Sequence, residues 1–289
     1  MKSLVGLTLV AVLSGCGQNN QDTALNLINA HLIGGTVPQQ GEFPASVRLL
    51  GGCTAAKVAS KLILTAAHCV TDRTTGAIRA SYNNGASIRI QHGTDIYSLK
   101  VVETLAHESY LNAVKAAVTG GYSPNNVGKD SYDVAFIVVS GDMRAIPEAE
   151  IDLNAVAETD PLTVGGYGCE EKLGGASPNP PRYKTGESYA VGISALKGAR
   201  GSYSAAATQA SIYKHNILTA GQKLNSKVPS ICPGDSGGPT YRAHDHRLIV
   251  GVNSYYTFND ESGISATNWH TRLSNLKTWI LDILDARGE

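Results

Sequence analysis

Between residues 45 and 256 the chain is a succession of short apolar or alternating runs separated by Gly, Asn, Asp and Pro. They are ASVRLL at 45–50, LILTAA at 62–67, ASIRIQ at 86–91, VAFIVV at 134–139, LTVGGY at 162–167, SYAVGI at 188–193 and RLIVGVNSYY at 247–256. Successive side chains of a strand point to opposite faces, so such runs suit half-buried or fully buried strands and are too short for helices. Many of them, broken by turn residues, predict an all-β sandwich or barrel. One segment follows the other period. In LSNLKTWILDILDAR at 273–287, Leu273, Leu276, Ile280, Ile283 and Leu284 recur at helical spacing, which predicts a C-terminal amphipathic helix packed on the body. Loops rich in Gly, Pro and Asn at 119–130 and 174–182 are placed to flank a cleft. A length of 289 residues fits one large core or two modest ones. Lys plus Arg equals Asp plus Glu at 24 each, so net charge offers no attraction to nucleic acid or an anionic membrane. No nucleic-acid partner is expected, and function has to be argued from a site.

The N-terminus departs from this pattern. Lys2 precedes an apolar run from Leu4 to Leu13 that is too short to span a bilayer and fits a secretory signal peptide. LSGC at 13–16 resembles the lipobox of bacterial lipoproteins, which implies a signal at 1–15 and acylation of Cys16. The plainer alternative is a secreted protein with an incidental cysteine. An acylated terminus would tether the chain to the cell envelope without making it a spanning protein. The missing Asp at position 17 favours the outer membrane. Residues 17–31, GQNNQDTALNLINAH, are polar without strand alternation and read as a tether or pro-segment. Export implies an oxidising compartment, so Cys53, Cys69, Cys169 and Cys232 read as two disulfides, with three pairings open. No CxxC or zinc-type spacing occurs, and no metal or cofactor is expected.

The segment CPGDSGGP at 232–239 is the most specific chemical signal. Glycines around Ser236 let the backbone turn sharply, so its Oγ projects while the N–H groups of Gly234 and Ser236 converge as an oxyanion hole. A serine needs a base, and His68 in TAAHC, just after an apolar run, supplies one. Asp133, at the start of VAFIVV, can hold that imidazole in one tautomer. Singly, each has a plainer reading: a glycine-rich turn, a structural histidine, a capping aspartate. An α/β-hydrolase would have its Asp and His after the serine, whereas here both precede it.

Together LIGG at 32–35, TAAHC, YDVAFIVV and GDSGGP, in that order, resemble the chymotrypsin-like (trypsin-fold) serine endopeptidases, and TRLSNLKTWI at 271–280 resembles that family's final strand and helix. The resemblance implies two six-stranded antiparallel β-barrels, about 32–145 and about 146–271, with a helix at about 273–287 and the site in the crevice between the barrels. It implies peptide-bond hydrolysis through an acyl-enzyme on Ser236, with His68 and Asp133 completing a triad. Ser254 would support Asp133 and begin the strand along which substrate pairs. A catalytically inactive binding protein is the alternative, but such proteins usually lack a triad residue. A Cys53–Cys69 bridge matches the family. Cys232 lacks its usual partner, and a bridge to Cys169 beside the oxyanion loop is expected instead. No calcium loop has a counterpart.

Specificity follows from the same resemblance. The pocket floor is Ser230 rather than an aspartate, so Arg or Lys specificity is not implied. Tyr256 and Asn268 stand where deep pockets carry glycine, which favours small or medium uncharged side chains. His270 reads first as a buried structural histidine. Clustered with Asn253 and Ser230 beneath the pocket, it would instead admit an acidic side chain, more so below about pH 6.5, where a histidine charges. In the family, cleavage frees an amine that pairs with the aspartate before the nucleophile. Here that implies a cut between His31 and Leu32 and a Leu32–Asp235 ion pair. With no Lys or Arg in 17–31, self-processing or a protease unlike trypsin would make the cut, and it would release a monomeric domain from its anchor.

Overall fold

The computed structural model describes residues 32–169, 182–196, 205–222, 225–257 and 267–288. The expected signal peptide, the tether with Cys16, His31 and nearly all of the 174–182 loop lie outside them.

The first half closes into a barrel of β1 (Ser46–Leu49), β2 (Cys53–Ala59), β3 (Leu62–Thr65), β4 (Ser87–His92), β5 (Asp95–Ala106) and β6 (Ala135–Ser140), in the order β1-β2-β3-β6-β5-β4. Val47, Leu49, Ile63, Val101 and Phe136 fill its core, and closure removes the exposed edges an open sheet would present.

The second half contains β7 (Glu150–Ile151), β8 (Pro161–Gly166), β9 (Lys184–Tyr189), β10 (Asn216–Ala220), β11 (Pro239–Arg242), β12 (Asp245–Thr257) and β13 (Thr267–Arg272). Six of these follow the order β10-β13-β12-β11-β8-β9, and β7 adds a short parallel pairing to β12. Among the described residues, the ends of the path meet through the Ala190–Thr219 bridge, a Val191 N–H to Leu218 O bond of 2.8 Å and a Ser188 hydroxyl to Ala220 O bond of 3.0 Å. The second barrel is therefore a curled sheet with a narrow seam. Residues 32–36 were assigned to the first barrel from sequence, but Ile33 pairs with Ser230 and Thr36 with Thr185, both in the second half.

Four α-helices occur among the described residues: α1 (Ala67–Val70), α2 (Glu108–Thr119), α3 (Ala205–His215) and α4 (Lys277–Arg287). The expected C-terminal helix is α4; its Ile280 and Ile283, with Leu273 and Leu276 before it, join the first barrel's core. In α2 and α3 the structure adds helices that the strand-dominated reading lacked. Only Tyr110 and Val114 of α2 are buried, a stripe too thin to stand out in the sequence. No helix among the described residues is long and apolar enough to cross a membrane.

Candidate active site

In the first barrel β3 lies beside β6, with Thr65 opposite Ala135. Residues just beyond those strand ends therefore emerge side by side. One is His68, in the single turn of α1, and the other is Asp133, two residues before β6. His68 Nδ1 lies 2.7 Å from Asp133 Oδ2, and the His68 main-chain N–H donates to Oδ1 at 2.8 Å. Ser254 Oγ donates to Oδ2 at 2.6 Å. It reaches the carboxylate where β12 bulges against β13 between Asn253 and Tyr255, a distortion that re-aims a side chain. Burial alone would push the Asp133 carboxyl up, but the His68 imidazole and the hydrogen bonds from His68 and Ser254 outweigh it, holding the group below the ordinary carboxylate range. A carboxylate only accepts, so Nδ1 carries the proton and Nε2 presents a lone pair to the cleft.

Ser236 lines the same cleft, of ≈ 400 Å³, with His68 and Ser254. Its Oγ makes no hydrogen bond to His68, a contact that in unliganded sites often tightens only with substrate. The turn around it depends on Gly234 and Gly237, at φ +102° and +80°, in the left-handed region that favours glycine. A Cβ on Gly237 would collide with Thr65 Oγ1 and Thr54 O. Thr54, in β2, anchors the turn from the other barrel: its N–H donates to Ser236 O at 2.8 Å and its Oγ1 to Gly234 O at 2.7 Å. The same Oγ1 accepts from Tyr167 N–H at 3.0 Å. Gly237 N–H donates to Asn253 O and Gly238 N–H to Asp235 O. The N–H groups of Gly234 and Ser236 donate to no acceptor among the described residues, which leaves two donors on one concave turn.

Asp235 is fully buried between those donors and the GGYG segment at 165–168. Its carboxylate accepts from Gly168 N–H at 2.7 Å and Cys232 N–H at 2.9 Å. Burial nevertheless pushes it up to about 7, and no cationic side chain among the described residues offsets that. A Cβ on Gly166 or Gly168 would collide with the carboxylate, so this wrapping requires glycine at both positions. Leu32 is also fully buried, packed with Val164, Ile231 and Tyr256. Thr54, Gly166 and Gly168 were missed from sequence. The paired glycines in GGYG were a usable signal, whereas Thr54 is one polar residue in an ordinary strand.

Disulfides join Cys53 to Cys69 and Cys169 to Cys232. The first ties β2 to the turn that carries His68. The second ties the GGYG segment to the nucleophile turn. His68 also lies near the sulfurs of Cys53 and Cys69, but their disulfide leaves no thiolate for a metal.

The pocket residues are less free than their types suggest. Ser230 is buried and its Oγ accepts from Gln222 N–H at 2.8 Å. Asn268 accepts from Ile231 N–H and donates to Thr219 Oγ1, Ala220 O and Pro229 O. Tyr256 lines the cleft, its ring stacked on Tyr255 with centroids 5.8 Å apart. His270 lies in β13, fully buried, with Nε2 2.9 Å from Thr219 Oγ1 and Nδ1 2.8 Å from both Asn253 Oδ1 and Thr240 Oγ1. Burial lowers its pKa to about 3, so the ring is neutral. This removes the histidine cation that the acidic-substrate option required.

The sequence model of the family described as Trypsin matches residues 32–280. The chain is 25% identical over 258 residues to serine protease SP24D of Anopheles gambiae, covering 87% of this chain and 80% of that one. It is 28% identical over 249 residues to a trypsin-like protease of Streptomyces glaucescens, covering 84% and 79%. Among solved structures, the fold matches neuropsin, a serine protease expressed in the limbic system of mouse brain, with a TM-score of 0.61 at 15% identity, covering 87% of this chain and 99% of that one.

Proposed function

This chain belongs to the trypsin family and is a serine endopeptidase acting on proteins or peptides, and from that premise we propose that Ser236, His68 and Asp133 are its catalytic triad. Ser236 Oγ attacks the scissile carbonyl as its proton passes to His68 Nε2. Asp133 stays ionised and stabilises the resulting imidazolium. The carbonyl oxygen, now an anion, is held by the N–H groups of Gly234 and Ser236. His68 then protonates the leaving amine, and water repeats the sequence to release the acyl group. The observation that carries this reading is the hydrogen-bonded chain Ser254–Asp133–His68, which opens beside Ser236 and its two unengaged N–H groups. Turnover of quenched peptides by Ser236→Ala tests it. Activity should fall to background with the fold intact, and wild-type rates in that variant would end the assignment.

Substrate would lie along β12 from Ser254 to Tyr256, just past Val252, where the pairing to β11 ends. Tyr256 and Asn268, whose amide is committed to Ile231 N–H and Pro229 O, would narrow a pocket floored by Ser230, and with no carboxylate at that floor small or medium uncharged side chains would be favoured over Arg or Lys. The proposed zymogen is activated by a cut between His31 and Leu32, made by the enzyme itself or another protease. The new ammonium at Leu32 would then pair with Asp235. Support comes from the burial of Leu32 and the lack, among the described residues, of a cationic partner for Asp235, since a buried carboxylate without a counter-charge is costly. The precursor would be exported and held in the cell envelope by a lipid on Cys16, with the outer membrane favoured, and the cut would free a monomeric domain. Mass spectrometry of the membrane-bound and released forms, with a Cys16→Ala control, tests the anchor and the cut together.

A further inference from the structure

Among the described residues, the cleft around Ser236 and His68 is lined by one guanidinium that the triad does not use. Arg73 follows α1 and lines the cleft beside Tyr110, Asn125 and Tyr256. Its Nη1 donates to Asn125 Oδ1 at 3.3 Å. Burial raises the hydroxyl pKa of both Tyr110 and Tyr256, and the charge of Arg73 reaches far enough to oppose that rise in each.

No carboxylate among the described residues pairs with Arg73. Asp133, the carboxylate lining the cleft, is engaged by His68 and Ser254. Asp72, the nearest in sequence, accepts at Oδ1 from the Thr74 N–H and hydroxyl. A second cation, Lys129, sits 4.5 Å over the ring of Tyr255, another cleft residue.

Direction decides which substrate side chain meets Arg73. A peptide extended along Ser254–Tyr256 alternates its side chains, as any strand does. If the scissile residue faces the pocket by Tyr256, the residue before it faces the other way, toward His68, Tyr110 and Arg73. We propose that Arg73 selects an acidic side chain on the substrate residue immediately preceding the scissile residue. A guanidinium can hold a carboxylate through two parallel hydrogen bonds, which neutral or basic side chains cannot form. The inference rests on the triad and the substrate strand proposed above and adds the substrate class.

The test uses protein beginning at Leu32 and three quenched peptides that differ only in carrying Glu, Gln or Lys at that position. A fluorophosphonate titrates active sites in every sample. Wild type should prefer Glu over Gln about five- to tenfold in kcat/KM, mainly through KM, and the preference should shrink as salt screens it. Arg73→Gln should erase it, Arg73→Glu should favour Lys, and Arg73→Lys should keep part of it. Wild type that labels fully and cleaves all three peptides alike overturns the Arg73 assignment alone, as does Arg73→Gln with the preference intact. Protein that neither labels nor cleaves overturns the triad reading and this one with it.

Discussion

Asp133 binds His68 twice, taking the ring Nδ1–H at 2.7 Å and the main-chain N–H at 2.8 Å, so one carboxylate sets both the position of the turn and the orientation of the imidazole. In Asp133→Asn the amide oxygen can still accept the main-chain N–H. The amide nitrogen would then face Nδ1 and force the proton onto Nε2, the wrong tautomer for a base. We expect kcat to fall about 10⁴-fold with the melting temperature little changed. Steady-state kinetics beside a thermal melt checks this, and a loss under tenfold would contradict it.

Ser254→Ala removes one donor from Asp133 and leaves both His68 bonds. A hydrogen bond to a charged group contributes about 1.5 kcal/mol, so a drop of about tenfold in kcat is expected. Ser254→Thr should recover most of it if the hydroxyl is what matters.

At Gly168 a Cβ would lie 2.5 Å from the Asp235 carboxylate, with little room to relax in a fully buried site. Gly168→Ala should cost about 1–3 kcal/mol in stability, as overpacked cores do. It should also lower kcat, because displacing Asp235 moves the N–H groups on either side of it. Urea unfolding and turnover of one preparation measure both, and an unchanged kcat would separate this segment from catalysis.

The pKa of Asp235 sets a pH dependence with a definite sign. Folding in the uncut chain raises the carboxyl from 3.8 to about 7. Its contribution to stability is therefore fully present below pH 4 and is lost as pH rises through 7. A difference of about three pK units corresponds to about 4 kcal/mol. In uncut protein carrying Ser236→Ala, adding Asp235→Asn should confer a stability advantage that grows between pH 4 and 8. Once a cut frees the Leu32 ammonium, the ordering at pH 8 should reverse. Paired urea titrations across that range test both halves.

Much of this was legible from local pattern. LILTAA contains β3 and opens α1, and VAFIVV contains nearly all of β6, because buried strands next to turn residues are local statements. Ser236, His68 and Asp133, read from their motifs, and Ser254, read from the resemblance, fall in one cleft. Long-range features were not legible. Whether β9 meets β10 depends on curvature accumulated over six strands, and no residue near Ala190 announces the narrow seam. The neutrality of His270 comes from burial among Thr219, Thr240 and Asn253, neighbours on three other strands.

Thr54 lies in one half of the molecule and fastens the Ser236 turn in the other. Ser236 and His68 are thus held by different halves, and a productive site exists only while the two remain docked. Local opening of either half precedes global unfolding in most proteins. A partly opened copy would therefore be silent as a protease while already cleavable as a substrate.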